Sequence, residues 1–283
     1  MEEKKELQLK RFATQLRMGV IDAVYHAKSG HPGGSLSIAE VLTYLYQEEL
    51  RIRPEQPDWE ERDRLVLSKG HCAPALYSAL ALAGYFPKEE LLSLRKLGAL
   101  LQGHPDMKHI PGVDMTTGSL GQGISAACGM ALAGKLQKKD YRVYAILGDG
   151  ELQEGEVWEA SMFAAQQKLD NLCVIVDNNG LQIDGSIVDV CSPYPIDQKF
   201  EAFGFSVLTA VADDFTELQK AFDQAKENKD RPAALILSST KGKGVSFMEN
   251  QASWHGVAPN EEQYQQAMAE LQAAYEAIGG EQG

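Results

Sequence analysis

The stretch that most constrains what this 283-residue chain can fold into is residues 142–185, RVYAILGDGELQEGEVWEASMFAAQQKLDNLCVIVDNNGLQIDG. Two short apolar runs, 143–147 and 172–176, stop at Gly148-Asp149-Gly150 and at Asp177-Asn178-Asn179-Gly180, as buried strands entering loops should. Between them Val157, Ser161, Met162, Ala165 and Leu169 fall on one side of a helix, with Glu156, Glu159, Gln166 and Lys168 toward the other. Strand, helix and strand in that order make a βαβ unit. Its right-handed crossover returns the second strand parallel to the first, so Asp149 and Asn179 emerge together at the carboxyl edge of the sheet. Open α/β sheets bind ligands at that edge. The expected fold is α/β, an open and mainly parallel sheet with helices on both faces.

The chemistry of the pair is narrow. An aspartate carboxylate and an asparagine carbonyl are hard oxygen donors suited to Mg²⁺, with Ca²⁺ or Mn²⁺ as alternatives. Two side chains leave most of an octahedron open, and Mg²⁺ fills such positions with phosphates and water. Gly148 and Gly150 would let a phosphate approach the backbone with no Cβ in the way. GDG alone is turn composition. Followed by a helix, a second strand and a double Asn, it is far more specific.

A diphosphate in this chain must be held by local features, because 27 basic against 40 acidic residues give a net charge of −13. That balance argues against nucleic acid or an anionic membrane surface as partner. The N-terminal residues lack the apolar core of a signal peptide and no run of 18 apolar residues occurs, so a cytoplasmic protein is expected. Cys72, Cys128, Cys173 and Cys191 are widely spaced with no C-x-x-C, which points to buried thiols rather than zinc or disulfides. One domain over residues 1–283 is expected, closed by a helix over about 260–278.

Elsewhere the patterns predict a first amphipathic helix through Leu9, Phe12, Leu16, Val20, Val24 and Ala27, then a loop at His31-Pro32-Gly33-Gly34-Ser35. His26 reads as a structural residue of that helix. A second helix over 38–50 would be capped by Ser37 with Glu40 as capping-box partner. A strand at 64–67 runs into Ser68-Lys69-Gly70-His71, and Pro74 sits in the first turn of a helix reaching Leu82. A weaker helix at 88–97 leads to Gly103-His104-Pro105, and a small-residue helix over 124–136 follows Thr116-Thr117-Gly118-Ser119-Leu120-Gly121. Residues 192–199 read as irregular, 203–208 and 233–237 as strands, and Asp214 as the cap of a helix over 216–226. Ser238–Gly244 could form a second phosphate loop, but it lacks the residues that precede GK in a P-loop. Asn260 with Gln263 is a capping-box variant for the last helix.

GDGELQEG, EAS and NNGLQIDG, together with SGHPGGSLS, SKGHCAPALYS, GHPD, TTGSLGQGIS and WHG in this order, resemble transketolase from about Phe12 to Gln263. The resemblance implies a thiamin-diphosphate-binding fold and transfer of a two-carbon ketol unit from a ketose phosphate to an aldose phosphate, in the manner of the pentose phosphate pathway. On that basis Asp149, Asn179 and the backbone carbonyl of Leu181 would hold the metal. Gly148, Gly150, Ile183, Gly118, Leu120 and His71 would meet the cofactor. His31 and His255 would handle the acceptor carbonyl and the donor hydroxyl that becomes an aldehyde, while His71 and His104 would bind hydroxyls of the transferred carbons. Imidazoles that titrate near neutrality suit such proton management.

The family also carries a second domain, with the glutamate that activates the aminopyrimidine and most of the arginines that bind sugar phosphate. No acidic residue here stands in a matching motif, so the resemblance implies the N-terminal subunit of a split transketolase, its pyrimidine-binding and C-terminal domains on a separate partner chain. Glu154 resembles the family's glutamate at the contact between cofactor sites, which implies two copies of each chain, a heterotetramer. Two alternatives are the α-subunit of a 2-oxoacid dehydrogenase and a non-catalytic cofactor-binding subunit. The HPGG and GHP histidines, suited to polyols, favour transketolase.

Overall fold

The computed structural model describes residues 1–279. Seven strands follow in chain order: β1 (Arg64–Leu67), β2 (Val143–Gly148), β3 (Leu172–Asn178), β4 (Leu181–Gln182), β5 (Gly185–Ser186), β6 (Ser206–Val211) and β7 (Ala233–Ser238). Five of them form one wholly parallel sheet in the order β1-β2-β3-β7-β6, and β4 with β5 makes a small antiparallel hairpin. The helices are α1 (Glu3–Ala27), α2 (Pro32–Leu36), α3 (Ala39–Tyr44), α4 (Ala73–Ala83), α5 (Gln122–Leu136), α6 (Gly155–Gln166), α7 (Ile187–Cys191), α8 (Ile196–Ala202), α9 (Phe215–Glu227) and α10 (Glu261–Gly279).

Side-chain alternation along each strand divides the interior into two cores. Tyr144, Ile146, Cys173, Ile175 and Leu235 face one side, where they pack with Leu16 and Val20 of α1, Leu42 of α3, Leu76 of α4 and Phe222 of α9. Val143, Ala145, Leu147, Val174 and Val176 face the other, against Ile124 of α5, Val157 of α6 and Phe200 of α8. With both faces covered, the strands need apolar residues at every position, and this is why they read as continuous runs. The chain advances one way across the sheet from β1 to β3 and steps back only from β6 to β7. A right-handed crossover at the reversed step places α9 on the face opposite α6.

Local chemistry sets the helix ends. Asp214 accepts the N–H groups of Thr216 and Glu217, and Asn260 and Gln263 cap each other's backbone reciprocally at the start of α10. Several expectations change. Residues 32–36 are helical, with Pro32 at the first turn, rather than a loop. The helix expected over 38–50 runs only to Tyr44 and then widens into a π turn over Leu45–Glu49. Ser37 makes no cap, because it ends α2 in helical conformation and Ile38 stands at the start of α3; its hydroxyl proton is directed to the carboxylate of Asp177, with Gly34 O close by. Glu40 likewise pairs with buried Arg17. Residues 88–93 form a 3₁₀ segment, and the sequence expected to be irregular contains α8. Phe203 closes α8 through its N–H to Lys199 O, which moves the following strand on to Ser206–Val211.

Three cysteines are buried and Cys191 is exposed. Among the described residues no helix is long and apolar enough to cross a membrane.

Candidate active site

Four strand ends converge at the carboxyl edge: Ser68–His71 after β1, Gly148–Glu151 after β2, Asp177–Asn179 at the end of β3, and Ser239–Lys241 after β7. Together with His31 and Gly34 at the start of α2 and with His255 they enclose a cleft of about 340 Å³. Every residue singled out in the sequence lines this cleft except His104: His31, His71, His255, Asp149, Asn179, Leu181, Gly148, Gly150, Gly118, Leu120 and Ile183. The His104 ring packs behind Gly118, 3.2 Å from the point a Cβ there would occupy. Gly34 is required for a similar reason: a Cβ would lie 2.8 Å from Cys72 Sγ and close to Lys69 and His71.

The rings of His31, His71 and His255 form a triangle, with centroids 5.1, 5.2 and 5.5 Å apart. Burial lowers all three, reinforced by His71 and Arg95 at His31, by Lys69 and Lys241 at His71, and by Lys241 at His255. His31 and His71 fall to about 4 and His255 to about 3. His104 is lowered as well, by burial and by Arg95. At neutral pH these imidazoles are therefore uncharged, each with one N–H and one lone pair. Lys241 Nζ donates to His255 Nδ1 at 3.0 Å, which puts the proton of the neutral ring on Nε2. Among the described residues, His31 Nδ1 is buried with no hydrogen-bond partner.

The carboxylates differ in their surroundings. Asp149, only 2% exposed, accepts Gly150 N–H at 2.8 Å on one oxygen and Gly180 N–H at 2.6 Å on the other. Burial and the neighbouring charge of Asp177 push its carboxyl up to about 6. Asp177 is fully buried, which alone would raise it, but the Lys69 ammonium at 2.6 Å and hydroxyl donors hold it below the usual carboxylate range. Glu151 accepts from Ser68 Oγ and from the N–H groups of Gly121 and Gly148, so it braces the turn after β2 from beneath.

These donors fit a hard cation. Each Asp149 oxygen has one N–H partner and a lone pair to spare, Asn179 Oδ1 takes only Leu181 N–H at 3.1 Å, and Leu181 O takes only Lys241. Among the described residues no three His, Cys, Asp or Glu side chains converge as a metal cage, so the candidate set is one carboxylate, one amide and one carbonyl.

Sequence reasoning missed Lys69, Lys241, Asp177 and Glu151. The two lysines, each 2% exposed, supply local positive charge at the edge of an acidic protein. Their signal was a Lys-Gly pair at the end of β1 and again after β7.

A family described as "Transketolase, thiamine diphosphate binding domain" matches residues 8–276. The chain belongs to the transketolase family. Within it, the chain is 45% identical over 267 residues to the 6-deoxy-6-sulfo-D-fructose transketolase subunit of Clostridium sp. (strain MSTE9), covering 94% of this chain and 97% of that one. It is 42% identical to an apulose-4-phosphate transketolase subunit of Phocaeicola vulgatus, covering 93% of each. Human transketolase is 45% identical over 257 residues, where 88% of this chain spans 39% of the human protein. The transketolase structure from Campylobacter jejuni superposes with a TM-score of 0.87 at 34% identity, over 96% of this chain and 45% of that one. This transketolase chain thus carries the thiamine-diphosphate-binding fold, and the 2-oxoacid dehydrogenase alternative is not favoured.

Proposed function

We propose that the chain is the N-terminal subunit of a two-chain transketolase that moves a two-carbon ketol unit between sugar phosphates. One observation carries this reading: three neutral imidazoles share one cleft with the oxygen donors of Asp149, Asn179 and Leu181 and with two buried lysines. The bound thiamin diphosphate supplies an electron sink for the carbon–carbon bond changes. Asp149 Oδ, Asn179 Oδ1 and Leu181 O would hold Mg²⁺, a hard cation suited to binding phosphate oxygens as well. Lys241, beside Leu181 O, and the Cβ-free backbone of Gly148 and Gly150 would receive the phosphates. Gly118, Leu120 and Ile183, which line the cleft, would contact the cofactor, as would His71 from the β1 side.

His31 and His255 accept or donate the proton of the acceptor carbonyl and of the donor hydroxyl that becomes an aldehyde. His71 and His104 orient hydroxyls on the transferred carbons. Low proton affinity leaves each ring its lone pair at neutral pH, so each can accept a hydroxyl proton as well as donate its N–H.

The partner is a C-terminal transketolase subunit that brings the carboxylate for the pyrimidine ring and the phosphate-binding arginines. Support comes from the two relatives matched along 97% and 93% of their own length, both of which are named as subunits. Exposed Glu154 on the cleft rim is the contact at which two copies of this chain meet, in a complex with two of the partner. The names of those relatives, for a sulfonated ketose and for apulose 4-phosphate, support a specialised ketose as the substrate. The net charge of −13 and the absence of a membrane-length helix among the described residues fit a cytoplasmic enzyme with no nucleic-acid or membrane partner.

The test is reconstitution. Ketol transfer from ketose phosphates is expected only when the purified chain is mixed with a C-terminal subunit. Robust transfer by the chain alone, verified free of other subunits by mass spectrometry, would overturn the two-chain reading.

A further inference from the structure

Asp177 lies at the last inward-facing position of β3 and is 1% exposed, yet it is not among the residues that line the cleft. Its carboxylate gathers four donors from four segments. Ser37 Oγ, between α2 and α3, and Lys69 Nζ, after β1, each donate to Oδ2 at 2.6 Å. Ser239 Oγ, after β7, donates to Oδ1. The fourth donor is Asn179 Nδ2, at 2.9 Å from Oδ2.

Through this fourth donor Asp177 reaches the metal site. The side chain of Asn179 is held at both ends by groups of opposite character. On one side stands a carboxylate oxygen, which can only accept. On the other stands Leu181 N–H, which can only donate, 3.1 Å from Oδ1. Only one orientation of the amide satisfies both, with Nδ2 toward Asp177 and Oδ1 toward the loop that carries Leu181 O. A carboxylate at position 179 would offer Mg²⁺ a charged and stronger ligand, but it would face Asp177 with no proton between two oxygens. One buried ammonium, Lys69, already serves Asp177 with Asp149 nearby.

We infer that Asp177 is the positioning residue of the metal site: it fixes the amide sense of Asn179 and is the reason an amide, rather than a carboxylate, stands there. This rests on the proposed metal role of Asp149 and Asn179. Partners that orient metal ligands in this way typically control affinity by about 10–100-fold.

The test measures Mg²⁺ affinity calorimetrically at saturating thiamin diphosphate, together with thermal unfolding, on the full chain assembled with its partner subunit. Asn179→Asp is expected to weaken Mg²⁺ binding about 10–100-fold although it adds a charged ligand. Adding Asp177→Asn to it removes one of the two facing carboxylates and keeps the net charge, with Lys69, which shares Oδ2 of Asp177 with the 179 side chain, left to pair with the carboxylate at 179, so the double variant is expected to regain part of the lost affinity. A merely structural Asp177 would not produce this rescue. Should Asn179→Asp fail to fold, a folded double variant supports the inference and failure of both overturns it. Wild-type Mg²⁺ affinity in Asn179→Asp, or a double variant no tighter than Asn179→Asp alone, also overturns it. Asp149→Ala separates the two levels. If it too binds Mg²⁺ like the wild type, the metal reading itself has failed and this inference with it.

Discussion

The ends of β2 and β3 each present a buried aspartate, and their surroundings treat the two oppositely. Asp149 receives only backbone N–H groups and is pushed up to about 6, whereas Asp177 receives an ammonium, two hydroxyls and an amide and is held low. Adjacent strands thus end in one carboxylate whose charge is already balanced and one whose charge is not. The balanced one is part of the framework. The unbalanced one gains most from a cation that arrives from solution, because burial leaves its ionised form poorly stabilised.

The contrast predicts different responses to mutation. Asp177→Leu leaves Lys69 buried and unpaired, and is expected to cost about 3–5 kcal/mol of folding stability in urea titrations. Asp149→Asn should cost far less. Comparable losses in both would erase the distinction.

It also predicts opposite pH dependence. For the metal-free chain, the raised carboxyl of Asp149 binds its proton more tightly folded than unfolded, so its contribution is full below about pH 4 and drains away as pH rises to about 6, by about 3 kcal/mol. Asp177 has the reverse sign, its contribution present above the unfolded carboxylate range and lost as pH falls through its lowered folded value. Unfolding of Asp149→Asn followed from pH 4 to 7 should lack the draining component. An unchanged profile would contradict the assignment of the raised carboxyl.

The imidazoles bordering this edge sharpen the division between holding cofactor and handling substrate. His31→Ala and His104→Ala in the assembled enzyme are expected to lower kcat on the order of 10²-fold, with thiamin-diphosphate affinity little changed. Wild-type turnover in either variant would remove that residue from the chemistry. A further effect concerns stability. His255, lowered to about 3, favours the folded state above the ordinary histidine value and loses that contribution as pH falls toward its folded value. His255→Gln should flatten the acid-side slope between pH 6.5 and 4 by less than one proton. An unaltered slope would show that the ring is not held neutral.

The same contrast explains what the sequence disclosed. Gly148-Asp149-Gly150 and Asn179 were legible because ligand loops at strand ends combine short apolar runs with residues that turn tightly, and both signals are local. Asp177 was not, since Asp at a strand end is ordinary turn composition, and its partners Ser37, Lys69 and Ser239 come from 140, 108 and 62 residues away. Ser37 shows the error from the other side. Its position before an apolar periodic run is that of an N-cap, but its backbone is still helical at the end of α2 and α3 starts one residue later than expected, so its hydroxyl is left to donate to the buried carboxylate. The slip at 203–208 has a similar origin, because Phe203 and Phe205 are apolar enough for a strand while α8 and its turn claim both.

Titration of thiamin diphosphate into the assembled complex, with and without Mg²⁺, for the wild type and Asp149→Ala, tests the central claim most directly. The wild type is expected to bind tightly only with Mg²⁺, and Asp149→Ala to lose that dependence while unfolding at no lower temperature than the metal-free wild type. Equal Mg²⁺-dependent affinity in the two proteins would contradict a metal and diphosphate site built on the end of β2.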